Sequence, residues 1–114
     1  MKFSVVAVIV AEENEDIAID KVKEAGAAGV TVFKGTGVGL KKKKTFMGLG
    51  FERGESMLIC VVERSVGLKI LKKIKKELNM DEHGNGLAFS IPLAHLVGMS
   101  YKQLQVFDEE MEEI

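Results

Sequence analysis

The chain has 114 residues and a mass of 12.5 kDa, a length that suits one ordinary domain rather than two. A hydrophobic fraction of 46% beside 29% charged residues excludes a disordered chain, and no apolar run approaches the roughly 18 residues that span a membrane. Sixteen Lys and Arg against 17 Asp and Glu leave a net charge of -1, so the average charge gives no reason to expect a nucleic-acid partner.

Phe3 to Ala11 is a nearly continuous Val and Ile run, the composition of a central strand covered on at least one face. Asn14 offers a cap for a helix from about residue 15 to 25, with Ile17, Val22 and Ala25 on its apolar side and Gly26 as its stop. Val30-Thr31-Val32-Phe33 reads as a second strand, which Gly35-Thr36-Gly37-Val38-Gly39 is expected to break. From there to about Gly54 the glycines and the run Lys41-Lys42-Lys43-Lys44 predict a long loop, and loops of that length tend to carry function. Met57 to Val62 is a third buried strand containing the single cysteine, Cys60, as a packed thiol. Ser65 is the expected cap of a second helix. Val66, Ile70, Leu71, Ile74 and Leu78 form its apolar face, and Lys69, Lys72, Lys73, Lys75 and Lys76 lie mostly elsewhere. His83-Gly84-Asn85-Gly86 is a turn in which Asn85 suits a positive φ, and Leu87 to Leu93 is a fourth strand. Pro92 places that strand at a sheet edge or marks its end, and the chain closes on the acidic tail Asp108-Glu109-Glu110-Met111-Glu112-Glu113.

The order is β-α-β, long loop, β-α-β. It predicts an α+β, ferredoxin-like fold: a four-stranded antiparallel sheet with two helices on one face. Residues 1–99 form the domain, with an excursion at 37–54, and 100–114 form a C-terminal segment with the acidic tail. A lone cysteine makes no intrachain disulfide and requires no oxidising compartment, so a cytoplasmic protein is the expectation.

Two stretches narrow this further. Lys23-Glu24-Ala25-Gly26-Ala27-Ala28-Gly29-Val30-Thr31-Val32, running on to Lys34-Gly35-Thr36-Gly37, resembles the helix, turn and strand that lead into the T-loop of the PII signal-transduction family. Gly84-Asn85-Gly86-Leu87-Ala88-Phe89-Ser90-Ile91-Pro92 resembles that family's B-loop and the strand after it. With the matching element order the resemblance covers about residues 2 to 99. It implies a homotrimer whose sheets line the centre, an adenine nucleotide such as ATP, ADP, AMP or cyclic AMP in the clefts between subunits, and T-loops that engage a target protein such as a membrane transporter. By the same resemblance Gly35, Thr36 and Gly37 at the T-loop base and Gly84, Asn85 and Gly86 in the B-loop approach the phosphates, while Thr31 and Val61 lie at the adenine. The chain also departs from the classical pattern. Leu87 stands where a lysine usually follows the B-loop glycines, and Gly98 and Ser100 stand near the positions of two phosphate-clamping arginines. Val38 and Gly39 replace the T-loop glutamine, and the only tyrosine, Tyr101, lies beyond the fourth strand rather than at a loop tip. The pattern is that of a divergent PII-like member rather than a classical nitrogen regulator.

Taken by themselves, the Gly-Thr-Gly and Gly-Asn-Gly triplets serve equally as plain turns or as backbone N–H cradles for an anion. Lys41 to Lys44 repel one another and stay solvated, either as a solubilising loop or as contacts for ligand phosphates or a target surface. His83 and His95 have no metal-ligand spacing, and no nucleophile-base arrangement stands out, so neither a metal nor an enzyme activity is expected. A CutA-like structural or metal-tolerance trimer without a nucleotide site has the same fold and is the alternative.

Overall fold

The computed structural model describes residues 2–37, 45–46, 49–50, 53–82 and 85–98. Strand β1 (Phe3–Ala11) passes through a 3-10 turn (Glu12–Asn14) into helix α1 (Glu15–Glu24), followed by β2 (Thr31–Gly37). Two short strands, β3 (Thr45–Phe46) and β4 (Leu49–Gly50), pair with each other within the expected loop. Then come β5 (Arg53–Glu63), α2 (Arg64–Glu77) and β6 (Leu87–Pro92). The main sheet has the order β2-β5-β1-β6 with every neighbouring pair antiparallel, and both helices lie on one face: the ferredoxin-like arrangement expected from the element order.

The core sits between that face and the helices. Val6, Val8 and Val10 of β1 and Leu58, Cys60 and Val62 of β5 alternate inward, as period-2 strands must, and meet Ala18 and Val22 of α1 and Ile70 and Ile74 of α2. Val66, Leu71 and Leu78 complete the stripe of α2 as its spacing predicts. Gly67 adds what the stripe did not reveal. A Cβ there would lie 3.3 Å from Val6 Cγ2, so the missing side chain lets the helix approach β1 closely.

On α1 the expected face needs correction: Ile17 is 45% exposed, and the buried stripe is Ala18 and Val22, continued by Ala25. Spacings of four and three residues keep these three on one side, whereas Ile17 to Val22 spans five. The caps also differ. Asn14 makes no side-chain cap bond because the 3-10 turn already carries the chain into α1. For α2 the N-cap is Glu63 rather than Ser65. Its carboxylate accepts the Ser65 backbone N–H at 2.8 Å, and the Ser65 hydroxyl donates to the same group. Burial pushes the Glu63 carboxyl up, but these bonds and the backbone N–H groups of Val66 and Arg64 outweigh it and hold its pKa below the ordinary value. Gly26 does end α1, at φ 126°, with Ala27 N–H bonded to Val22 O and Gly26 N–H to Lys23 O.

Gly35-Thr36-Gly37 does not break β2. These residues pair with Glu55, Gly54 and Arg53, because ladder bonds use only backbone groups and neither strand needs side chains there. β2 and β5 thus extend as a two-stranded stalk past Ala11, the last residue of β1. β6 is an edge strand ending at Pro92, after which Leu93 N–H bonds Phe3 O at 2.9 Å.

Candidate functional site

The register places the candidate residues on a grid. On the face without helices, the rows are Val61-Val5-Ile91, Thr31-Ile59-Ala7-Phe89, Phe33-Met57-Ile9-Leu87 and Gly35-Glu55-Ala11, read across the sheet. Thr31 and Val61 are diagonal neighbours at the β2 side, both exposed. Gly35 and Thr36 lie four and five residues further along β2, about 13 to 17 Å from Thr31. Asn85 and Gly86 precede Leu87, which pairs with Ile9, so they lie at the same end of the sheet as Gly35 but at its other edge. Three strand spacings, about 14 Å, separate β2 from β6. Within one chain, therefore, the Gly35–Gly37 segment and the Asn85–Gly86 turn share an end and do not meet. Gly84 and Lys41 to Lys44 lie outside the described residues, as do His83, Ser100, Tyr101 and the acidic tail.

The two glycine-rich segments differ in what requires their glycines. Gly86 has φ 127°, and a Cβ there would lie 2.4 Å from the backbone oxygen of Ile9, so the turn itself demands glycine. The positive φ expected at Asn85 falls instead on Gly86 and, before it, on Asn79 at 50°. Asn85 contributes a side-chain bond: its Nδ2 donates to Asn79 O at 3.1 Å and ties the turn to the end of α2. Gly35 is the opposite case. It has no positive φ, and a Cβ there would meet nothing within 4 Å, so the backbone does not demand glycine and the strand is open at this one position.

Beneath the stalk lies an ionic cluster that the motif reading missed. Lys34 precedes Gly35, and its Nζ pairs with Glu15 and, at 3.4 Å, with Glu12. The buried Ser56 hydroxyl donates to Glu15 Oε1 at 2.7 Å and accepts from Lys34 Nζ at 3.4 Å. The bond from Lys34, then that from Ser56, holds the Glu15 carboxyl below its usual range, and Glu15 in turn raises Lys34. One lysine thus joins the start of α1 to both strands of the stalk. The sequence signal was a lysine abutting Gly-Thr-Gly and the acidic residues after β1, but contacts across 22 and 41 residues need the register to be seen.

Cys60 is buried, and burial pushes its thiol pKa up, which suits a packed group rather than a nucleophile. Among the described residues no group of three or more His, Cys, Asp or Glu could hold a metal, and no helix is long and apolar enough to cross a membrane.

Solved structures share this architecture. A PII-like signalling protein of Thermus thermophilus superposes with a TM-score of 0.62 at 20% identity, covering 82% of this chain and 88% of its own. GlnK of B. subtilis, solved as an ATP complex, gives 0.62 at 17% identity over 84% and 88%. CPII of Thiomonas intermedia, solved with ADP and bicarbonate, gives 0.61 at 17% identity over 83% and 91%. No curated protein matches the chain in sequence. The family model for nitrogen regulatory protein P-II matches residues 3–101, a span holding the stalk, the turn before β6 and the whole sheet, and the chain belongs to that family.

Proposed function

We propose that this chain is a PII-like signalling protein, not an enzyme, that binds an adenine nucleotide in clefts between subunits of a homotrimer and regulates a target protein through its T-loop. The observation that carries this reading is the placement of Gly35-Thr36-Gly37 and Asn85-Gly86-Leu87 at one end of the sheet but on opposite edges. Two anion-facing segments some 14 Å apart in one chain become one site only when the edge of a second chain lies against the first. The open face supports such assembly. Phe33, Val61, Leu87, Phe89 and Ile91 are all large, apolar and exposed there, an unusual surface for a lone domain.

In this site the backbone N–H groups around Gly35 to Gly37 and Gly84 to Gly86 receive the phosphates, Thr31 and Val61 flank the adenine, and Leu87 leaves the B-loop without the lysine charge of classical members. Lys41 to Lys44 supply cationic contacts to ligand phosphate or to the target. The ATP and ADP of the GlnK and CPII complexes support ATP and ADP as first candidates, beside AMP and cyclic AMP. Nucleotide occupancy changes the affinity of the T-loop for its target, and only a ligand that prefers one state of the protein can shift the balance. The target is a protein at the membrane, such as a transporter, reached from the cytoplasm.

Sedimentation combined with calorimetric titration of ATP, ADP, AMP and cyclic AMP tests the reading. A particle of three chains that gives heat with at least one nucleotide is expected. A folded trimer silent to all four overturns the nucleotide site and favours the CutA-like alternative.

A further inference from the structure

The outer surface of α2 carries a row of cations with no counterpart in the site above. Lys69, Lys72 and Lys76 stand at i, i+3 and i+7, on one side of the helix over about 10 Å, and all three are exposed. Neighbouring cations are already engaged: Lys73 pairs with Glu24 at 3.0 Å, and Lys75 faces Asp81 at 3.8 Å. Lys69, Lys72 and Lys76 have no ion pair among the described residues. A shallow groove at the end of the row is lined by Lys72, Lys75, Lys76, Asn79, Asp81 and Glu82.

We infer that this row is the docking surface for the chain's own acidic segment, Asp108 to Glu113. Charge complementarity is the first argument. The segment holds five carboxylates in six residues, and in an extended chain Asp108, Glu110 and Glu112 fall on one side over about 14 Å, close to the length of the lysine row. Reach is the second. Leu93 bonds to Phe3 O as the chain leaves β6, and α2 begins with Arg64 bonded to Lys2 O, so both start from the same end of the sheet. Nine residues lie between Gly98 and Asp108, and the ten steps reach about 33 to 36 Å, whereas α2 from Arg64 to Lys76 rises only about 18 Å. Tethering makes the contact intramolecular, at an effective concentration in the millimolar range, which exposed ion pairs of modest strength require. Asp81 and Glu82 in the groove repel carboxylates, so the segment lies along Lys69 to Lys76 rather than over those two residues.

Water-soluble carbodiimide, which joins carboxylates to amines held in contact, tests this in the full-length protein. At about 20 mM salt, peptide mapping is expected to find residues 108–113 joined to Lys69, Lys72 or Lys76, with the yield falling several-fold at about 0.5 M salt, where screening reaches only a few ångströms. The triple variant K69E/K72E/K76E abolishes these links. Adding D108K/E110K/E112K restores them with reversed polarity, which separates lost attraction from lost folding. Links mainly to Lys41–Lys44, links to no lysine, or a charge swap that restores nothing overturns the docking.

Discussion

On the face of the sheet that meets the helices, Val6, Val8, Val10, Leu58, Cys60 and Val62 are all buried, whereas on the opposite face Phe33, Val61, Leu87, Phe89 and Ile91 keep 37–57% of their surface. Both sets are apolar, and they alternate along the same strands. The covered face holds the chain's own stability, because burying each aliphatic side chain contributes about 1.5 to 3 kcal/mol within the monomer. In the proposed trimer the open face supplies the same kind of stabilisation through contact with other copies. Substitutions on the two faces should therefore fail in different ways.

The largest effect is expected on the covered face. Leu58→Ala removes a side chain that is 1% exposed and should lower unfolding stability by about 2 to 5 kcal/mol in a urea titration. On the open face Ile91→Glu, at a position 52% exposed, should dissociate the trimer to a monomer by sedimentation while leaving the far-UV spectrum folded. If Ile91→Glu unfolds the chain instead, the division between the two faces is wrong. A smaller effect is expected at the stalk. Thr36→Asp puts a carboxylate on an exposed edge strand beside Gly35 and should weaken nucleotide binding at least tenfold through repulsion of phosphate, with assembly intact. It is a cleaner probe than a change at Gly86, where any side chain collides with Ile9.

The smallest effect concerns Lys34. Lys34→Met should lower the melting temperature slightly at neutral pH, and the difference from the parent should depend on pH in a defined way. Glu15 is depressed from 4.5, so its contribution is present above that value and lost as pH falls through its lower folded value. Lys34 is raised from 10.5, so its contribution is present below that value and lost as pH rises through its higher folded value. Melting curves of the two proteins should converge at both extremes, and a constant offset from acid to alkaline pH would contradict the ionic tie.

Much of this architecture is legible in the residues. The nearly unbroken apolar run of Phe3 to Ala11 marks a central strand, the stripe from Val66 to Leu78 follows the period of a helix buried on one side, and Gly26 stops α1 at a positive φ that glycine adopts freely. Sequence and structure part where backbone and side chain say different things. Gly-Thr-Gly reads as a strand breaker because glycine weakens strands statistically, yet the ladder continues through backbone bonds alone. Ile17 reads as core because of its type, but its position on the helix leaves it outside. The Glu12-Lys34-Glu15-Ser56 cluster is out of reach of the sequence, since its members meet only after three elements have docked in register. For the candidate site, both glycine segments are visible in the residues, but their separation across the sheet is not. That separation, seen only in the register, is what the proposed two-chain cleft rests on.

The most direct measurement is a calorimetric titration of ATP, ADP, AMP and cyclic AMP into the parent trimer and into folded Ile91→Glu monomer. If the T-loop base of one chain and the B-loop of another complete the cleft, the trimer binds at least one nucleotide and the monomer binds none. Equal affinity in the monomer would mean that the site lies within one chain and that the division across the sheet plays no part in binding.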